Sequence, residues 1–254
     1  MIKKQNYQDK IIWIIGASSG IGESLAKELA SRGAVLALSA RRADELEKLK
    51  NTLKGLRHEI FSLDVSELGA VINIAKAIYI KFGRIDSIIF LAAVYSPMKL
   101  DNLDLHAIQQ MVEINLLGAF HVVYAVLPIL KNQAYGQMAL CGSVAGYMGL
   151  PGGQPYSATK AGIINLAESL RAELPEPIDI KLISPGFVRT ALTDKNNFSM
   201  PMMISSAQAA VFIADGLLKK VFEVHFPKRF TWCLKVLQLL PYKLSLKITR
   251  KLNQ

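Results

Sequence analysis

The sequence predicts an α/β fold in which a seven-stranded parallel sheet is wound in both directions and covered by helices on each face, a three-layer sandwich. Three observations carry this expectation. Short apolar, β-branched runs alternate with longer segments of helical period, the pattern of βα units. The first such run passes through a glycine-rich turn directly into an amphipathic segment. With 254 residues, 51% of them apolar, and no repeat or biased tract, the chain can build the core of one large domain.

Taken in order, the IIWII run within residues 10–15 reads as the first strand and GIGESLAKELAS over 20–31 as the first helix. VLALS within 34–39 is the second strand, with a helix over 43–54. Strands at 59–63 and 87–91 flank a helix over 67–82, and a long apolar helix follows over 105–131. Strands at 137–141 and 179–183 flank a helix over 156–173. A helix over 206–219 and a short strand at 222–226 complete the set. Each crossover must be right-handed to return to the sheet. Residues 190–205 form the longest stretch without periodicity, and Met200, Met202 and Met203 in it suit a mobile lid over a cleft. No run of about 18 uncharged apolar residues occurs, so no helix is expected to span a membrane.

The formal charge of +10 is unevenly placed. Residues 1–216 carry 21 Lys and Arg against 19 Asp and Glu, whereas residues 217–254 carry nine against one. The body is nearly neutral, so the basic balance does not indicate nucleic-acid binding; it belongs to the tail. Cys141 and Cys233 are too few for a disulfide scaffold, and the early apolar run leads into a turn instead of a cleavage site, so a cytoplasmic location is expected. His58, His106, His121 and His225 are scattered without metal-ligand spacing, and no metal is expected.

After the first strand comes Gly16-Ala17-Ser18-Ser19-Gly20-Ile21-Gly22. Gly16 permits the tight turn, Gly20 lets backbone approach a pyrophosphate, Gly22 lets helix and strand pack, and the helix N-terminus supplies amide donors. At the end of the second strand Ala40 is followed by Arg41 and Arg42. An acid at this point would repel a 2′-phosphate, whereas guanidinium groups bind one, so NADP(H) is favoured over NAD(H). Tyr156 and Lys160 stand at i and i+4 on one helix face, thirteen residues beyond Ser143. A phenol of ordinary pKa about 10 needs help to exchange protons at neutral pH, and a neighbouring ammonium favours its anion.

Together, the GxxxGxG turn, Ser143, the YSATK segment, Asn115 in EINLLGAF and Pro185-Gly186 in SPGFVRT resemble the short-chain dehydrogenase/reductase family over roughly residues 10–226. The resemblance implies a Rossmann-like fold and hydride transfer between a nicotinamide and a carbonyl or secondary alcohol. It implies Tyr156 as the proton donor or acceptor, Ser143 as the hydrogen-bond partner of the same oxygen, Lys160 as tuner and holder of the nicotinamide ribose, and Asn115 as the residue that orients a relay water. Ser18, Ser19, Ile21, Asp64 with Val65 at the adenine, Ala92, Ala93, Val188 and Thr190 complete the implied cofactor set. The family's Thr at the start of the turn is Ile15 here, and its NNAG signature is Phe90-Leu91-Ala92-Ala93. A polar tie between the first and fourth strands is therefore expected to have become apolar packing, and Ala93 adds a methyl near the ribose position.

Val94, Tyr95, Val144, Tyr147, Met148, Leu150, Gln154, Phe187 and Leu192 are the expected cleft walls, mostly apolar, which favours a hydrophobic carbonyl or alcohol as substrate. A catalytic domain over 1–226 and a basic extension over 227–254 are expected. In the extension, Phe230, Cys233, Leu234, Leu237 and Leu240 fall at helical spacing before Pro241. Two readings of it stand: an anchor on an anionic inner membrane face through residues 228–252, or a helix docked on the body or on a partner subunit. The family resemblance implies a homo-oligomer through the helices at 105–131 and 156–173. Two function classes remain, an NADP(H)-dependent oxidoreductase and a catalytically silent nucleotide sensor; the Ser, Tyr, Lys and Asn set favours the enzyme.

Overall fold

The computed structural model describes residues 7–149, 151–196 and 199–251. Its strands are β1 (Ile11–Ile15), β2 (Val35–Ala40), β3 (Glu59–Ser62), β4 (Ser87–Phe90), β5 (Gly136–Cys141), β6 (Ile178–Pro185), β7 (Val188–Arg189), β8 (Ile204–Ser205) and β9 (Glu223–Phe226). Seven of them form one sheet in the order β3-β2-β1-β4-β5-β6-β9, every pair parallel. Parallel strands need long crossovers, and these are helices: α1 (Gly20–Ser31), α2 (Ala43–Lys50), α3 (Leu68–Phe82), α4 (Leu105–Val112), α5 (Gly118–Gln133), α6 (Gln154–Glu173) and α7 (Ser206–Leu217). The fold is the expected Rossmann-like sandwich.

Because both faces are covered, the central strands are apolar throughout, and β1 is buried along its whole length. On one face Trp13, Ile88, Phe90, Met138 and Ile180 pack with Val71, Val126 and Ile163. On the other, Ile12, Ile14, Leu36 and Ile183 pack with Leu25, Leu29 and Ile213. Ile15 and Phe90 are register partners across β1 and β4, both fully buried. Tyr7 ties the chain start to α7, its hydroxyl donating to Ala214 O at 2.6 Å.

The elements depart from expectation in four places. The helix expected over 43–54 stops at Lys50, where Thr52 N and Leu53 N bond carbonyls three residues back and Thr52 Oγ1 donates to Leu49 O at 2.7 Å. Such local bonds compete with helix continuation. The long helix is α4 and α5 joined through a wide π segment, Glu113–Leu117, which contains Asn115. The lid region is pinned at its base, because β7 pairs with β8, Val188 opposite Ile204. Above that base Asn196 accepts from Tyr95 Oη at 2.8 Å and Lys195 Nζ donates to Tyr95 O at 2.9 Å.

The fourth departure concerns apolar length. Leu105–Gln133 is long and apolar enough, by length and composition, to cross a membrane. Here Ala119, Val122, Val126 and Leu130 pack it into the core beneath the sheet.

Beyond β9 the tail forms α8 (Lys228–Gln238) and α9 (Tyr242–Lys251), divided at Pro241. α8 lies on the body: Leu234 packs with Val144 and Tyr147, and Phe230 packs beside them.

Candidate active site

At the carboxyl ends of the strands, where the strand order reverses between β1 and β4, the surface opens into a cleft of about 410 Å³. The turn after β1 forms one end. Gly16 sits at φ +91°, and a Cβ there would stand 2.6 Å from Ala92 N. No L side chain fits that conformation or that space. A Cβ on Gly22 would stand 2.1 Å from Gly16 O, so helix α1 starts directly on the turn. Gly16 N and Ala17 N donate to Ser39 O at 2.8 and 3.1 Å, fixing the turn to β2. Ser19, the cap of α1, makes no side-chain cap bond, so first-turn amides remain available to an anion in the cleft. Ser18, Ser19, Gly20 and Ile21 line the same wall.

Arg42 lies over this turn, Nη2 reaching Ser18 Oγ at 3.2 Å and Ser18 O at 3.4 Å. Arg41 points across to Asp64, with 4.0 Å between Nη1 and Oδ2. Burial pushes the Asp64 carboxyl up, but the hydroxyl and backbone bonds from Ser66 and the Arg41 charge outweigh it and hold its pKa below the usual range. Asp64 Oδ1 accepts both Ser66 N, at 3.0 Å, and Ser66 Oγ, at 2.7 Å, an Asx turn. Val65 lines the cleft beside it, as do Ala92, Ala93, Pro185, Gly186, Val188 and Thr190 on the facing wall.

Ser143, Tyr156 and Lys160 meet at the other end of the cleft. Ser143 lies two residues beyond the end of β5 and caps a short 3-10 turn, its Oγ accepting from Ala145 N at 3.1 Å, which leaves its O–H to donate. Tyr156 and Lys160 project from the first turns of α6. Lys160 is almost fully buried and donates to Cys141 O at 2.7 Å; its Nζ lies 5.6 Å from the Tyr156 ring centroid. Burial lowers the Lys160 pKa, and burial raises that of Tyr156, with the Ser143 hydroxyl acting in the opposite sense. The sequence expectation is that the ammonium lowers the phenol's pKa; burial acts on it in the opposite sense. Desolvation is the largest of these effects on the phenol.

Asn115 is fully buried and does not line the cleft. Its Oδ1 accepts from Val94 N at 2.7 Å, while its Nδ2 donates to Val94 O at 2.9 Å and to Thr159 Oγ1 at 3.3 Å. The amide joins the π segment, the chain after β4 and α6. Of the expected substrate walls, Val94 and Leu192 line the cleft. Tyr95 meets Tyr156 edge-on at 5.1 Å, and Phe187 meets Phe230 at 5.4 Å. Met148 and Gln154 are half-buried. Val144 and Tyr147 are covered by α8, a correction to the expectation of open walls. Leu150 lies outside the described residues.

Residues 10–200 match the short chain dehydrogenase family. The chain belongs to that family. An uncharacterized oxidoreductase of Myxococcus xanthus is 31% identical over 243 residues, 94% of this chain and 96% of that protein. An alcohol dehydrogenase from the archaeon Thermococcus sibiricus, complexed with 5-hydroxy-NADP, superposes with a TM-score of 0.79 at 28% identity, covering 86% of this chain and 96% of that one. A Burkholderia phymatum short chain dehydrogenase/reductase in complex with NAD gives a TM-score of 0.83 at 21% identity, covering 91% and 93%. This short-chain dehydrogenase is an oxidoreductase acting between alcohol and carbonyl groups with a nicotinamide cofactor.

Two residues that sequence reasoning missed support the site of this short-chain dehydrogenase. A Cβ on Gly146 would stand 2.6 Å from Lys160 C, so the Ser143 turn presses on the backbone of α6. Glu223 at the start of β9 accepts from Tyr147 Oη and pairs with Lys235 of α8. Burial pushes the Glu223 carboxyl up, but these bonds outweigh it and hold its pKa low. Glu223 was visible as the one acid among the last 38 residues. Among the described residues no group of three or more His, Cys, Asp or Glu is placed to hold a metal ion.

Proposed function

We propose that this enzyme is an NADP(H)-dependent reductase of hydrophobic carbonyl compounds, interconverting them with secondary alcohols. The observation that carries the reading is a single cleft with Arg42 beside Ser18 at one end and Tyr156 between Ser143 and Lys160 at the other. The glycine cradle and uncapped α1 fit a pyrophosphate, and Arg42, with Ala40 in place of an acid, fits a 2′-phosphate. NADP(H), when bound, supplies or accepts the hydride. Ser143 donates a hydrogen bond to the substrate oxygen, and Tyr156 gives that oxygen its proton in reduction or takes it up in oxidation. Lys160 donates to the Cys141 carbonyl, and its Nζ lies 5.6 Å from the Tyr156 ring centroid. The walls that touch the cleft, Val94 and Leu192, and the neighbouring Tyr95 are chiefly apolar.

Exposed Leu105, Leu117, Phe120 and Tyr124 on the α4–α5 helix support a homodimer through that face. The test is NADPH oxidation over carbonyls of graded chain length, with Tyr156→Phe as control. Expected are higher kcat/KM for long apolar carbonyls, and a loss of roughly 10²–10⁴ in kcat with cofactor binding retained in the variant. Much higher kcat/KM on short polar carbonyls overturns the substrate class.

A further inference from the structure

Between residues 228 and 251 the chain carries seven Lys or Arg and no Asp or Glu. The two helices there are unusual in what they show to solvent. On α9 the buried residues are Ser245 and Thr249, while Tyr242, Leu244, Leu246 and Ile248 are exposed. On α8, Thr231, Leu234 and Leu237 face the body, and Trp232 and Val236 face outward, each 58% exposed. Leu239, at 85%, and Tyr242, at 83%, bridge the two helices. A helix that ends against water turns its polar side outward. Here the small hydroxyl residues of α9 pack inward and its leucines point out, among lysines.

We propose that the outward face of α8 and α9 docks on an anionic lipid bilayer. Apolar side chains surrounded by basic ones match the boundary between acyl chains and negatively charged headgroups. A second copy of this chain is a poor occupant, because it would bring the exposed Lys243, Lys247 and Arg250 against the same cations of the first. The inward face of α8 is already committed: Phe230 lies against Phe187, Leu234 against Val144 and Tyr147, and Lys235 against Glu223. The helix that meets lipid on one side thus covers the turn bearing Ser143 on the other. The docking does not rest on the proposed substrate; entry of an apolar substrate from the bilayer does.

The test is co-sedimentation of the full chain with vesicles of phosphatidylglycerol and phosphatidylcholine, and with phosphatidylcholine alone. Expected is binding to the anionic vesicles only, weakened by salt. Binding falls at least tenfold in Leu239→Asp/Tyr242→Asp/Leu246→Asp and also in Lys243→Glu/Lys247→Glu, with thermal melting and solution mass unchanged. The charge-reversal pair leaves every apolar contact in place and so stands if the triple variant misfolds. Wild-type protein that stays in the supernatant, or variants that bind as well as wild type, overturns the proposal. Variants that convert a dimer to a monomer also overturn it and assign the face to a second copy.

Discussion

Asn115 grips the backbone of Val94 from both sides, accepting from Val94 N at 2.7 Å and donating to Val94 O at 2.9 Å. Val94 lines the cleft next to Ala92 and Ala93, so this pair of bonds sets where the wall after β4 lies. Asn115→Ala leaves two backbone groups without their partner, at about 1–3 kcal/mol for each group left buried. The expected result is a lower melting temperature and a reduced kcat. Asn115→Asp keeps the acceptor but loses the donor and falls between wild type and Ala; differential scanning fluorimetry and initial rates check both.

On the proposed reading, removal of Arg42 should separate the two nicotinamide cofactors. A hydrogen bond to a charged group contributes about 1.5–3 kcal/mol, so Arg42→Ala raises the NADPH KM by roughly ten- to 150-fold. The NADH KM should hardly move, since that cofactor offers no 2′-phosphate. Steady-state kinetics with both cofactors measure the ratio; equal losses for the two would remove Arg42 from phosphate recognition.

Gly146→Ala places a methyl where the backbone of Lys160 already stands. Overpacking of this kind costs about 1–3 kcal/mol, and the strain falls on the turn that carries Ser143. We expect kcat to drop while NADPH affinity, measured by fluorescence titration, stays within a small factor of wild type. A drop in affinity as large as that in kcat would show that the disturbance spreads to the glycine-rich end.

Alkaline pH should destabilise the fold through its buried tyrosines. Burial raises the Tyr7 pKa above that of an unfolded tyrosine, against the pull of Arg32 and with a smaller push from Asp215. The folded chain then holds its proton more tightly, so stability is complete below about pH 10 and declines as pH rises through and beyond it. Tyr147 and Tyr156 shift in the same direction. Tyr7→Phe should cost about 1 kcal/mol at neutral pH through the lost bond to Ala214 O, yet flatten the decline above pH 10. Melting temperatures of both proteins across the alkaline range measure the two slopes.

What was legible in the sequence followed from periodicity and spacing. The apolar runs located every strand of the main sheet, and the i and i+4 spacing put Tyr156 and Lys160 on one face of α6. The π segment was not legible, because Ile114, Leu116 and Leu117 continue the apolar pattern of a plain helix; the widening belongs with the hold of Asn115 on Val94 and Thr159. The covering of Tyr147 was hidden for a similar reason. The tail's period places Phe230, Leu234 and Leu237 on one face of α8, but Cys233 is exposed and α9 turns its leucines outward, because which surface the tail meets depends on where β9 ends. The balance of effects at Tyr156 was not legible, because spacing reports a nearby charge and says nothing of burial, which raises the phenol's pKa.

Beside the backbone bond from Leu91 N to Ile15 O at 2.8 Å, the Ile15–Phe90 pairing should add a temperature-dependent part to the tie between β1 and β4. Side chains joining β1 to β4 at the point where the crevice opens hold by apolar contact, and such contact weakens on cooling. A polar bond in the same place would not share that dependence. The apolar share of the tie between the two walls should therefore be largest in the warm part of the working range and shrink in the cold, leaving the backbone ladder of β1 and β4 to hold them.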